Sequence, residues 1–317
     1  MHNVQDYGAD PTYGLDSTAA FNNAINAARI DRRPVRVPAG KYKVSTIDAS
    51  QFRDFPGGLS LLGDGAGSTL IYGVEQTTPQ PVIDCVGSSE LRIEHLSVMG
   101  MTEGGEKPNV IPSCGVLTAE SVVRPDCNRN RYLSVSCLGF FSISAFVSIG
   151  QTNSVYEFCT TQQWLSTGRS LYISGYNPDQ LSGTTVGINS TPMANNELSF
   201  LDCEFHSWNN ETGVPSPATV PTLWFEGHNT TINNLRFTRC LIDSSYQYAV
   251  FFNGVSNRVS FRDSKVYSEI GYPAPNSFML ADGGWVSNCL MDNVDLTSVG
   301  NVIAYGPNGG NIQLRHV

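Results

Sequence analysis

An eight-residue pattern, apolar at its first, third, sixth and eighth positions, limits this chain more than any other feature. It reads LRIEHLSV from Leu91, LSVSCLGF from Leu133, LSFLDCEF from Leu198, LRFTRCLI from Leu235, VSFRDSKV from Val259 and CLMDNVDL from Cys289. A degraded copy, YEFCTTQQ, starts at Tyr156. Alternation within each half is the period of a half-buried strand. Two adjacent outward positions in the middle mark a corner where the strand changes direction. A second piece precedes most copies: a short apolar strand, then Gly and a few polar residues. VIDCVG, FVSIG, LWFEG, VFFNG and FMLADG are examples, and VIAYG from Val302 opens a last round. Gly suits a closing turn with positive φ.

The starts differ by 42, 23, 42, 37, 24 and 30 residues. Short gaps fit one coil of a solenoid, and long gaps fit a coil carrying an inserted loop. A leucine-rich repeat would hold a more constant period, and a propeller blade needs four strands in about 40 residues. The expected fold is all-β: a single-stranded parallel β-helix with a capping α-helix. The cap is expected over residues 1–58. The body follows over 59–317, with loops inserted at about 101–113, 164–192 and 206–221. Asp16-Ser17-Thr18 before AAFNNAINAA predicts a capped amphipathic helix burying Ala20, Phe21, Ala24, Ile25 and Ala28. Such a helix would shield the open first coil.

The N-terminal segments VQDYGADPTYGLDSTAAFNNAINAA, VRVPAGKYKVS and LLGDGAGSTLI resemble the opening of pectate-lyase-like β-helix proteins. That group includes phage tailspikes and depolymerases, polysaccharide lyases, epimerases and some glycosidases. The resemblance covers about the first 72 residues, and the coil pattern extends it. It implies a right-handed helix with sugar sites on the lateral face, trimeric in many phage members. It does not select a reaction, because one scaffold hosts several chemistries. The chain reads as an excised spike body, or as a short member that docks onto other virion tail proteins. Its expected place is the virion tail, acting at the bacterial surface, with a secreted protein as the alternative.

Composition narrows the partners. A net charge of −9 supplies no basic face for nucleic acid. No apolar run approaches the ~20 residues of a membrane span, and Met1 leads straight into polar residues, unlike a signal peptide. The eight cysteines lack CxxC pairing, and several fall at inward positions. Cys203 and Cys240 should stack in the core of adjacent coils as free thiols. A bridged, secreted protein is the alternative. No cofactor or metal is expected. The partners expected are a polysaccharide and two further copies of the chain.

Stacked at about 4.8 Å per coil, the outward positions form ladders. The fifth reads His95, Cys137, Thr160, Asp202, Arg239, Asp263, Asn293, and the seventh Ser97, Gly139, Gln162, Glu204, Leu241, Lys265, Asp295. Asp202, Glu204, Asp243 and Arg239 are therefore the candidate catalytic group. Paired carboxylates about 5–9.5 Å apart cleave glycosidic bonds, and Asp202 and Glu204 on one strand face would lie roughly 7 Å apart. A neighbouring carboxylate would raise the pKa of the acid. The plainer alternative is an ion-pair ladder with Arg239 between Asp202 and Asp263. A lyase would use Arg239 as base with Ca²⁺ on the aspartates, although the net negative charge disfavours a polyanion. Trp164, Trp208, Trp224 and Tyr246, with Tyr172 and Tyr176, offer flat faces for sugars or anchor the loops. Glu226 and His228 are a further acid and base, at an expected turn. A non-catalytic glycan-binding or structural spike remains the third possibility.

Overall fold

The computed structural model describes residues 1–52, 57–120, 127–174, 195–212, 216–246, 248–267, 277–281, 285–296, 301–305 and 312–317. Every named strand pair in it is parallel, and strands recur in three stacks around a continuous core. This is a right-handed parallel β-helix. The first sheet stacks Thr152–Glu157, Asn195–Leu201, Arg236–Thr238, Ser260–Arg262 and Cys289–Asp292. The second stacks Thr160–Gln163, Glu204–Ser207, Leu241–Ser244 and Lys265–Tyr267. The third stacks Cys114–Ala119, Ser144–Ile149, Arg169–Ser174, Leu223–Asn233 and Tyr248–Asn257.

The octamer spans the first two sheets, and its corner has a uniform conformation. The fifth residue is left-handed in successive coils: His95, Ser134, Phe158, Asp202, Arg239, Asp263 and Asn293 have φ of +48 to +57°. The residue before each octamer is left-handed too, at Glu90, Arg129, Asn153, Glu197, Asn234, Arg258 and Asn288. Each octamer is therefore two short strands between two left-handed hinges. At Gly58, the equivalent hinge of the first coil, an added Cβ would meet the Glu90 carbonyl oxygen at 2.1 Å. The closing glycines Gly87, Gly150 and Gly254 have φ of +74, +67 and +103°, as the turn requires.

Two copies start elsewhere than the apolar pattern indicated. Tyr132 pairs with Ile93 and Tyr156 with Phe200, so these coils begin at Asn130 and Ser154 rather than Leu133 and Tyr156. Cys137, expected outside, is fully buried, and Thr160 moves from the fifth to the seventh position. The cause is polar residues at inward first positions. Asn130 and Ser154 are buried, and each side chain accepts from the backbone of the coil before it: Asn130 Oδ1 from the Leu91 N–H at 2.9 Å, and Ser154 Oγ from the Asn130 N–H at 3.1 Å. An additional copy, LSLLG, starts at Leu59.

The third position carries the core. Tyr132, Tyr156, Phe200, Phe237 and Phe261 stack with centroids 4.4, 4.7, 4.6 and 4.8 Å apart. Each such contact contributes about 0.5–1.5 kcal/mol beyond its buried area. At the sixth position Cys159, Cys203 and Cys240 lie inside, and all eight cysteines are free and buried. Burial pushes the Cys203 thiol well up, which keeps it protonated and unreactive.

The helix Thr18–Asp31 buries Ala20, Phe21, Ala24, Ile25 and Ala28, the face predicted. Its start differs in detail. Ser17 Oγ accepts from the Asp10 N–H, while Asp16 Oδ1 accepts from the Thr18 N–H at 2.9 Å. The inserted loops also need redrawing. The strand Arg169–Ser174 interrupts the stretch 164–192, of which residues 175–192, including Tyr176, lie outside the described residues. Tyr172 is therefore a strand residue, and Glu226 sits within Leu223–Asn233 rather than in a turn.

Candidate functional site

The left-handed hinge at residue 202 separates Asp202 from Glu204. They do not share a strand face: Asp202 is the corner, and Glu204 opens the next strand, Glu204–Ser207. At the corner Asp202 is clamped by Arg239, with Nε to Oδ1 and Nη2 to Oδ2 both at 2.7 Å. The Arg239 hydrogen bonds hold the Asp202 carboxyl below its usual range. Asp263, one coil further, accepts from Asn293 at 2.7 Å.

Past the corner, alternation carries Glu204 and His206 outward while Phe205 enters the core. His206 is level with Asp243 of the next coil, because the two strands pair in register. His206 Nδ1 lies 3.3 Å from Asp243 Oδ2, and Nε2 lies 3.5 Å from Glu204 Oε2. Two carboxylates thus flank one imidazole on opposite edges. Their side-chain exposures grade from solvent inward: 47% for Glu204, 9% for His206 and 4% for Asp243. Burial alone would lower the His206 pKa. The Asp243 hydrogen bond and charge, helped by Glu204, outweigh it and raise the value above 6.5. The imidazole therefore holds a proton more firmly than a free histidine. Trp208 stands edge-on to it, with ring centroids 6.0 Å apart.

Inserted segments meet beside this group. Glu211 takes Lys107 at 3.1 Å and the Ser166 hydroxyl at 2.9 Å, joining the stretches 101–113, 164–168 and 208–221. Trp164 packs edge-on against Phe140 at 5.7 Å. Its indole N–H is buried with no acceptor among the described residues.

A second group lies on the third sheet. Tyr172 and Trp224 are cross-strand neighbours, and the Tyr172 hydroxyl donates to Glu226. The Arg169 guanidinium stacks 4.1 Å from the Trp224 ring centroid and 5.4 Å from that of Tyr172. Burial lowers its pKa, and its Nε has no acceptor among the described residues. Tyr246 packs edge-on against Tyr248, with ring centroids 6.0 Å apart. Of the residues predicted from sequence, Glu204 and Asp243 converge on one imidazole, Asp202 and Arg239 pair with each other, and Trp224 joins Glu226. His206, the link between the two carboxylates, was missed because it falls one place beyond the octamer. Aligning the copies to a ninth position would have set it beside Asp243. Among the described residues no group of three or more His, Cys, Asp or Glu side chains is placed to hold a metal ion.

Residues 1–89 match the family model described as rhamnogalacturonase A/epimerase, pectate lyase-like. The whole chain superposes on ORF18 of Geobacillus virus E2 with a TM-score of 0.59 and 15% identity, covering 99% of this chain and 61% of that one. It also superposes on PfbA, a surface adhesin of Streptococcus pneumoniae, with a TM-score of 0.52 and 14% identity, covering 98% and 93%. No curated protein sequence is a significant match. The chain has the fold of the pectate-lyase-like right-handed β-helix superfamily.

Proposed function

We propose that this chain is the body of a phage tailspike-like protein that binds a bacterial surface polysaccharide, capsule or O-antigen, and hydrolyses it. The observation that carries the reading is the Glu204–His206–Asp243 line, running from solvent into a buried carboxylate beside Trp208. The phage origin of one fold neighbour supports the tailspike setting. Glu204 is the group a sugar meets first. Glu204, within 3.5 Å of the His206 Nε2 that supplies its proton, protonates the leaving glycosidic oxygen. Water adds at the anomeric carbon and returns a proton to the same carboxylate. Asp243, too buried to touch a glycan, is a positioning residue that fixes the imidazole and its charge. Trp208 and Trp164 flank the sugar, and Trp224, Tyr246 and Glu226 lie on its path across the third sheet. Asp202 and Arg239 hold the corner and transfer no proton. The body assembles as a homotrimer carried by other tail proteins.

A specific feature favours one rival. Asp243 on Nδ1 also suits His206 to act as a base at Nε2, removing a proton beside a uronate carboxylate in a β-elimination. Incubation with a panel of bacterial surface polysaccharides, following reducing ends and near-ultraviolet absorbance together, separates the readings. New reducing ends without absorbance, lost in Glu204→Gln, are expected. Absorbance would transfer the case to the lyase. Binding without any new ends would leave an adhesive spike, a role in keeping with the PfbA neighbour.

A further inference from the structure

The outer face of the first sheet carries arginines on several coils, and most are neutralised. Arg36 is bound by Asp64, Arg92 by Glu94 and Arg131 by Glu157, at 3.1, 2.8 and 2.8 Å. Arg236 and Arg262 break that rule. Both are exposed, and neither has a carboxylate within ion-pair distance among the described residues. The nearest cross-strand acid, Asp292 opposite Arg262, is engaged by His316 at 3.4 Å instead.

The two arginines are also placed together. Arg236 pairs in register with Ser260, and Thr238 with Arg262, so the guanidinium side chains stand at diagonal corners of a four-residue patch. Strand spacing and rise put their Cα atoms roughly 8 Å apart. These four residues line a groove of about 380 Å³. That is near the lower end of ligand pockets, roughly 300–1,000 Å³, and suits a single sugar unit. Two hydroxyls on its floor and a guanidinium at each end provide donors only for anions and hydroxyl acceptors for sugar O–H groups. The left-handed corner separates this groove from the Glu204–His206–Asp243 group on the second sheet.

We propose that this groove is an accessory site for a negatively charged sugar, and that the polysaccharide handled by the chain is acidic. The net charge of −9 argues the other way, but at physiological salt a charge is felt over only about 8 Å. The two guanidinium groups therefore outnumber Asp292, the carboxylate beside Arg262 on the next coil, and carboxylates beyond that range are screened. Carboxylate and sulfate share the required chemistry. A planar carboxylate matches a guanidinium fork with two parallel hydrogen bonds. The proposal rests on the polysaccharide reading but not on catalysis.

Calorimetric titration of the full chain tests it at low salt, with oligogalacturonate for carboxylate, sulfated galactan oligomers for sulfate and dextran oligomers as the neutral control. The variants are Arg236→Gln/Arg262→Gln, whose side chains leave the core untouched, Arg33→Gln as the charge control for binding, and Glu204→Gln for cleavage alone. One or both anionic probes should bind and weaken as salt rises, with dextran silent. The arginine variant should lose about tenfold or more, the scale of charge-assisted hydrogen bonds, while Arg33→Gln, which removes an exposed charge outside both sites, binds like the parent. No binding of either anion, equal binding of dextran, or binding that the arginine variant leaves intact would overturn the groove. A drop in assembly mass of the arginine variant would also overturn it, by making the patch a contact between copies. Loss of cleavage in Glu204→Gln together with anion binding that the arginine variant leaves intact keeps the proposed function standing and removes this site. Groove binding without cleavage does the reverse.

Discussion

Two outward ladders two to four residues apart in the octamer carry similar charges to different ends. At the fifth position, Asp202 and Arg239 face solvent at a left-handed corner and satisfy each other with two bonds. At the ninth, His206 and Asp243 are withdrawn from water, and only Glu204, two residues earlier, is well exposed. The first arrangement neutralises stacked charge where water already screens it, so the pair adds little to stability. The second withdraws a carboxylate and an imidazole from water, and each then depends on the other for its protonation state. Stacking alone does not make a site. Burial turns a ladder of ordinary side chains into a coupled one.

The sharpest way to break the comparison is through turnover. Removing the charge of Glu204 with Glu204→Gln should lower the cleavage rate by about 10²–10⁴, the contribution of a general acid or base. Asp202→Asn should change it less than about threefold. Equal losses at both positions would place the reaction at the corner and return Asp202 to the role its sequence position suggested.

Asp243→Asn comes next, because it leaves His206 buried with a neutral partner. The expected cost is about 1–3 kcal/mol of stability, read from the urea midpoint. It should also lower the His206 pKa, visible as a shift of the imidazole proton signals and of the acid-side to alkaline-side balance in the pH–rate profile. Recovery of neither quantity in Asp243→Glu is acceptable, but an unchanged imidazole titration in Asp243→Asn would dissolve the coupling.

The pH dependence has a definite sign. The folded-state pKa of His206 lies above its unfolded value of 6.5, so the protein binds that proton more tightly when folded. Its contribution to stability is complete below about pH 6.5 and is lost as pH rises through the folded pKa. Compared with His206→Gln, the parent should therefore gain relative stability toward acid. Asp202, with its pKa lowered by Arg239, has the opposite sense, with its contribution lost as pH falls through the folded value. Parallel denaturation series at about pH 2.5, 5 and 8.5 distinguish the two ladders, the His206 contribution falling from pH 5 to 8.5 and the Asp202 contribution from pH 5 to 2.5.

How far this could be read beforehand depends on which side chains point inward. Coils with apolar first positions, such as those at Leu198, Leu235 and Val259, stood out because burial and hydrophobicity coincide there. The coils at Asn130 and Ser154 did not, because a hydrogen bond between coils lets polar side chains occupy the core. That misplacement moved Cys137 outside on paper. The outward carboxylates Glu204 and Asp243 were legible from alternation alone. The corner itself was legible from the two adjacent outward positions, but its consequence, that Asp202 at the bend and Glu204 beyond it do not share a strand face, was not. His206 was hidden for a separate reason: its partner lies on another coil, and register between coils is set by loop lengths that no local pattern records.

The smallest effect concerns the corner itself. Phe158 occupies the fifth position of its coil at φ +53°, with 58% of its surface exposed. Left-handed backbone costs a residue with a Cβ about 1–2 kcal/mol, and a bulky aromatic has no local hydrogen bond to offset it. Other coils use Asp202, Asp263 and Asn293 at this point, whose short polar side chains tolerate the conformation. Phe158→Asn should therefore raise stability by about 1 kcal/mol while keeping the Phe158 N–H to Leu201 carbonyl bond, 3.0 Å in the parent. The gain is measured as a higher urea midpoint at unchanged slope. If glycan binding is also unchanged, the ring is a tolerated strain at an otherwise inert corner. If binding weakens as stability rises, the ring is held out against its backbone preference to meet a sugar, and the corner ladder is not inert after all.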